Sequence, residues 1–238
     1  MKTKMKKSYL WGGVIILILL VIFLLIVKLA WQNNTNKAIT DLGKEAKAES
    51  YAPANQPTIS ADEKVSGSTR AAVKIVVYED YSNVFSADNA ENIKKLEDKF
   101  GGQVVVAVRP YVIREKTGSL EAAMAIECAS EQNKWSDMRE GIFRAVRANS
   151  LNTDGINGWA KQIGLDQEKF NQCLTNVKKQ GIMLQVAADA QKFSVYGAPT
   201  IFINNELVVG ARPYEDYTDE TGLKIEGLKS LVSRQIGK

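Results

Sequence analysis

The chain has 238 residues, 45% of them hydrophobic and 24% charged, with a net charge of +4. That length holds one medium-sized domain plus appendages. It contains no histidine and only two cysteines, Cys128 and Cys173. This excludes Ser-His-Asp and Cys-His catalysis, histidine-ligated metals, and any C-x-x-C or four-ligand zinc pattern.

The N-terminus carries the clearest physical signal. Residues 10–27 are uncharged and almost wholly apolar, with Lys28 following and Trp11 and Trp31 at the two ends. At about 1.5 Å of helix rise per residue, such a run crosses a hydrocarbon core of roughly 30 Å. Lys2, Lys4, Lys6 and Lys7 precede it with no acidic residue among them, whereas the flank beyond mixes Lys37 and Lys44 with Asp41 and Glu45. The positive-inside bias therefore predicts a cytoplasmic N-terminus (1–8), a transmembrane helix (9–31) and an extracytoplasmic remainder. A cleaved signal peptide is the competing reading. The run is longer than the usual apolar region of such peptides, and the nearest small-x-small site, Ala46-Lys47-Ala48, lies far downstream.

Residues 32–71 are polar, rich in Asn, Ala, Lys, Ser and Thr, and carry Pro53 and Pro57. Their composition predicts a flexible tether, which spans roughly 30–40 Å as a random coil. The remaining residues, 72–238, alternate element types. A β-branched strand is predicted over 73–79, and a helix over 83–100 from the recurrence of Val84, Ala87, Ala90, Ile93, Leu96 and Phe100. Asn83 is placed to cap that helix, and Gly101-Gly102 to stop it. A second strand follows over 104–108, then helices over 119–132, 135–148, 156–164 and 167–194, the last broken near Gly181. Strands over 199–203 and 207–209 are joined by Asn204-Asn205, a good hairpin pair, and a closing helix spans 221–236. The order β-α-β, helical block, β-β-α implies an α/β fold. It has a mixed central sheet, with a parallel crossover first and an antiparallel hairpin last.

The residues themselves resemble the DsbA-like thioredoxin family over nearly all of 72–238. Val73-Lys-Ile-Val-Val-Tyr-Glu-Asp80-Tyr81 is similar to the family's first core strand and the Asp-aromatic step before its active site. The stretch from Ala122 to Trp135, with Cys128 within it, is similar to the family's inserted helical subdomain, here about 115–195. Leu165-Asp166, Phe170 and Cys173-Leu174 match a later helix. Val195-Tyr-Gly197-Ala198-Pro199-Thr200 followed by Phe202-Ile-Asn is similar to the cis-proline loop and hairpin. The resemblance implies a thioredoxin-like fold and a cis peptide at Pro199, facing the start of the first helix.

The chain departs from the family where the chemistry sits. In place of the C-x-x-C stand Asn83-Val84-Phe85-Ser86. Disulfide exchange needs a thiolate to attack sulfur, and neither an amide nor a serine hydroxyl supplies one. The inherited reaction is not expected at this position. A binding or scaffolding role toward polypeptides is expected instead, at a groove beside Asn83, Ser86 and Pro199. No cofactor, metal or nucleic-acid partner is implied. The rival reading is a thiol-disulfide oxidoreductase working through Cys128 and Cys173 or through a partner's cysteines; a third is a subunit of an envelope assembly. For Cys128 and Cys173, a structural disulfide between two helices of an exported domain is expected in preference to a catalytic thiol or two buried free thiols. Arg109-Pro110-Tyr111 and Arg212-Pro213-Tyr214 are read as a solvated edge, and Glu79, Asp80 and Asp88 as a solvated helix start.

Overall fold

A computed structural model of the chain describes residues 55–60 and 63–237, together with Phe23, Leu25 and Lys28. The chain divides into two units, 1–49 and 50–238. Within the first, the three described residues are helical and exposed. The expected span, its cytoplasmic flank and most of the tether otherwise lie outside the described residues. Among the described residues no helix is long and apolar enough to cross a membrane.

The second unit is built on a five-stranded sheet in the order β1-β3-β2-β4-β5. The strands are β1 (Val65–Gly67), β2 (Val73–Glu79), β3 (Val104–Pro110), β4 (Thr200–Ile203) and β5 (Glu206–Val209). β2 and β3 run parallel, from Val73 opposite Val104 to Glu79 opposite Pro110. β4 returns antiparallel to β2, and β5 pairs antiparallel with β4. The crossover between β2 and β3 is α1 (Val84–Phe100), whose Ala87, Ala90, Ile93 and Leu96 are buried. The hairpin between β4 and β5 turns on Asn204, which adopts a positive φ of 49° and accepts a hydrogen bond from the Lys74 N–H at 2.8 Å.

Strand periodicity sorts β2 onto two cores, because successive side chains point to opposite faces. Val73, Ile75 and Val77 join Ile201, Ile203 and Val106 under α1 and the closing helix α7 (Leu228–Ile236). Val76 and Tyr78 join Phe202, Ala107, Ala190 and Val195 on the other face. Both faces are covered, which is why β2 reads as a continuous apolar run. Between β3 and β4 are inserted α2 (Ser119–Ser130), α3 (Trp135–Arg147), α4 (Thr153–Gln162), α5 (Gln167–Leu174) and α6 (Val177–Ala190).

Three boundaries differ from the sequence reading. The fold begins before residue 72, because β1 pairs antiparallel with β3 inside the stretch assigned to the tether. β1 has no buried side chain, so it leaves no hydrophobic pattern. Backbone pairing holds it instead, and Arg109 ties down the segment just before it. The Arg109 guanidinium donates to Glu63 Oε1 at 2.7 Å, to the Thr58 carbonyl at 2.6 Å and to the Tyr78 hydroxyl at 2.8 Å. Gly67 ends β1 at φ 90°, where a Cβ would lie 2.5 Å from the Val104 carbonyl oxygen. The long helix expected over 167–194 breaks at Thr175-Asn176 rather than at Gly181, because Asn176 caps α6 by accepting from the Lys179 N–H at 3.2 Å. The closing helix starts only at Leu228. A small hairpin, β6 (Tyr217–Thr218) with β7 (Lys224–Ile225), precedes it, its turn held by Asp219 Oδ1 accepting from the Thr221 and Leu223 N–H groups.

Candidate functional site

The candidate site forms where β2 ends and α1 begins. Asp80 is fully buried and shapes the turn between them. Its carboxylate accepts from the Ser82 N–H at 3.0 Å, the Ser82 hydroxyl at 2.8 Å and the Ser119 hydroxyl at 3.0 Å, and it pairs with Lys116 at 2.7 Å. Glu79 is equally buried and takes a two-pronged bond from Arg139, with Nε donating to Oε2 at 2.8 Å. Burial alone would lower the Arg139 pKa, but the Glu79 carboxylate outweighs it and holds Arg139 above its ordinary value. Arg139 also lies over the Phe143 ring, 5.1 Å from its centroid. The two acids are therefore not a solvated helix start. They are buried counter-ions that fix β2 and the first turn of α1 to the inserted helices, and Asp88 is exposed one turn further on.

Asn83 caps α1, its Oδ1 accepting from the Phe85 N–H at 2.9 Å. Its Nδ2 reaches 115 residues along the chain to donate to the Ala198 carbonyl at 3.3 Å. The Ala198–Pro199 peptide is cis. Pro199 and Thr200 are buried, and the Thr200 hydroxyl donates to the Gly197 carbonyl at 2.8 Å. Asn83, Ala198 and Pro199 thus meet at one end of the sheet. Ser86 lies one turn along α1, fully buried, with no hydrogen-bond partner for its hydroxyl among the described residues. The Tyr81 hydroxyl and both amide atoms of the buried Asn89 are likewise unpartnered. Burial pushes the Tyr81 pKa far up, so this phenol stays protonated throughout the physiological range.

Three large apolar side chains close to this point in sequence or register are exposed. Phe85, Tyr196 and Val209 are 62%, 76% and 72% exposed. Val209 stands opposite Thr200 in the β4–β5 ladder, and the Gly210 N–H donates to the Pro199 carbonyl at 2.9 Å. A cleft of about 370 Å³ opens beside Ser82, walled by Gly118, Glu121, Leu151 and Asn152. A larger cavity of about 730 Å³, lined in part by Lys74, Phe202 and Arg234, touches neither Asn83 nor Pro199.

The two cysteines are elsewhere. Cys128 on α2 and Cys173 on α5 form a disulfide with Sγ–Sγ 2.04 Å. The solvated edge expected of the two Arg-Pro-Tyr segments fails at Arg109, while Pro213 is exposed and Arg212 and Tyr214 are half-buried. Arg109 is the clamp described above, whereas Tyr214 packs against the main core between Lys95 and Lys229.

The sequence model of the family described as Thioredoxin matches residues 59–219. The chain belongs to the thioredoxin family. Solved structures of DsbA-like proteins share its fold. Oxidised BdbD from Bacillus subtilis superposes with TM-score 0.63 at 19% identity, covering 79% of this chain and 99% of that one. Alpha-DsbA1 from Wolbachia pipientis gives 0.59 at 18% identity, covering 75% and 93%. A periplasmic thioredoxin-like protein from Salmonella enterica serovar Typhimurium gives 0.57 at 19% identity, covering 74% and 91%. No curated protein matches the chain. The family match starts before residue 72, in keeping with the early β1 strand, and ends in the small β6–β7 hairpin.

The sequence reading missed Arg139, Lys116 and Asn89 at this site. Arg139 and Lys116 lie 60 and 36 residues from their acidic partners, and no local pattern announces such pairings. Asn89 stands at a core-facing position of α1, and its helical spacing from Ser86 and Ile93 was the available signal.

Proposed function

We propose that this DsbA-like protein is held at the outer face of a membrane by its N-terminal helix. In this reading it binds extended polypeptide beside Pro199 without exchanging disulfides there. The observation that carries the proposal is the pair Asn83 and Ser86 at the positions where the resemblance puts the C-x-x-C. An amide and a hydroxyl cannot form the mixed disulfide through which exchange proceeds. What the site does offer suits an extended chain. Val84, Phe85, Tyr196 and Val209 are exposed apolar side chains around it. Among the described residues, the N–H groups of Tyr196, Gly197 and Ala198 donate to no protein acceptor. Free backbone donors beside apolar contacts are the elements by which a strand-like peptide is held.

The extracytoplasmic assignment rests on the lysines before the apolar run and on the disulfide, and it agrees with the periplasmic Salmonella neighbour. Protease added outside intact, outer-layer-permeable cells should remove the domain and leave residues 1–8 protected; a mature protein starting near residue 32 or 49 would overturn the anchor. For binding, fluorescence anisotropy with an unfolded, cysteine-free polypeptide is the assay. Phe85→Ser and Tyr196→Ser should each weaken binding about tenfold or more, since burying one large apolar side chain contributes on the order of 1.5–3 kcal/mol. Unaltered binding by both variants would move the site elsewhere.

One observation favours a second reading. Cys173 borders a cavity of about 380 Å³, and Lys179 Nζ lies 3.7 Å from its sulfur. A cation there would stabilise a thiolate, which suits exchange through Cys173. The Lys179 charge is already paired with Glu131, and Cys128 is sealed in the core, so this reading ranks second.

A further inference from the structure

We propose that Asn83 is a latch, its side-chain amide occupying the Ala198 carbonyl and thereby holding the groove closed against an extended chain. The inference rests on the polypeptide-binding reading above and adds how that site is gated.

The amide makes two bonds in opposite senses. Oδ1 accepts from the Phe85 N–H at 2.9 Å, and Nδ2 donates to the Ala198 carbonyl at 3.3 Å. These partners fix its orientation, because turning the amide over would set donor against donor at Phe85 and acceptor against acceptor at Ala198. One side chain thus closes the first turn of α1 and joins that turn to the loop before β4. Among the described residues the Ala198 carbonyl has no other partner.

A chain laid alongside 196–198 needs both donors and acceptors from the loop, as any added strand does. The N–H groups of Tyr196, Gly197 and Ala198 are free, but Asn83 already takes one lone pair of the Ala198 carbonyl, so an incoming donor must share that oxygen or displace the amide. A neutral bond of this length, at the long end of the N–H···O range, is displaceable. The net contribution of one such bond limits the latch to about a two- to tenfold effect on affinity. It is a gate and not a block. Cysteine has no amide with which to make this contact, so the latch belongs to the asparagine that replaced it.

The test separates capping from latching in the full-length protein. Asn83→Ser and Asn83→Asp keep a cap oxygen but lack the amide donor, the serine hydroxyl being too short to reach Ala198; Asn83→Ala lacks both. Hydrogen exchange is followed over α1 and at the two bonded amides that flank the loop, Val195 on the Ala190 carbonyl and Gly210 on the Pro199 carbonyl, and binding is measured with the cysteine-free unfolded polypeptide. The latch predicts several-fold faster exchange at Val195 and Gly210 in the Ser and Asp variants with α1 unchanged, and about two- to tenfold tighter binding by Asn83→Ser. Loop exchange at the wild-type rate in both variants overturns the latch whatever the binding does. Faster exchange with unchanged or weaker binding overturns the gating. Faster exchange with no binding by either protein overturns the polypeptide-binding reading itself.

Discussion

Replacing Cys128 and Cys173 together by Ala removes the covalent tie between α2 and α5. The two residues are 45 positions apart. Opening a loop of that length returns about 4 kcal/mol of chain entropy to the unfolded state. For a domain of this size each kcal/mol moves the midpoint by about 2–4 °C, so the melting temperature should fall by roughly 8–16 °C. The loss should also be local. α5 has only eight residues, and Phe170 and Cys173 are its buried anchors. Without the disulfide Phe170 remains, so amide exchange should rise first over 167–174 while β2 and β3 stay protected. Calorimetry and hydrogen exchange on the wild type, its reduced form and the double variant provide the comparison, and the reduced and double-variant proteins should melt together. A shift below about 2 °C, or exchange that rises evenly over all helices, would show that the disulfide is not what holds α5 in place.

Three smaller predictions concern the buried polar groups. Arg139→Met strands the Glu79 carboxylate in the core and should destabilise by about 3–5 kcal/mol in denaturant titration, with Glu79→Met added in the same chain recovering most of it. Ser86→Ala removes a buried hydroxyl with no partner, so stability should hold or rise by about 1 kcal/mol; a clear loss would show that the hydroxyl is satisfied. For Glu63, burial alone would raise the pKa, but the Arg109 and Ser60 hydrogen bonds outweigh it and hold the carboxyl below 4.5. Its folded value lies under its unfolded one, so its contribution is complete above about pH 4.5 and is lost as the pH falls through the lower folded value. Exchange over 65–67 should therefore accelerate in acid before that of β2, and Glu63→Gln should abolish the difference.

The parts of the fold legible in the sequence are those where one periodicity dominates. β2 is an unbroken β-branched run buried on both faces, and α1 carries its apolar residues on one helical stripe between Asn83 and Gly101. Asn204-Asn205 announced the β4–β5 hairpin by turn chemistry alone. β1 was illegible because a three-residue edge strand with no buried side chain is specified by its partner strand. The break at Thr175-Asn176 was misplaced because a capping asparagine outranks a mid-helix glycine, which helices tolerate. At the site, Asn83, Ser86 and Pro199 could be located from their neighbours in sequence. The environment of Glu79 and Asp80 could not, because their counter-ions come from the inserted helices. Exposure was read from local composition, and distant cations decided it.

Under the proposed function, the start of α1 and the cis-proline loop bind polypeptide without exchanging disulfides. The direct measurement is catalysed insulin reduction by the full-length wild type and by Asn83→Cys/Ser86→Cys. The two positions lie one helical turn apart, where the helix N-terminus lowers the pKa of the first thiol. The wild type should show no turnover, and the double variant should form a disulfide and turn over measurably. Wild-type turnover at the rate of the double variant would contradict the proposed function.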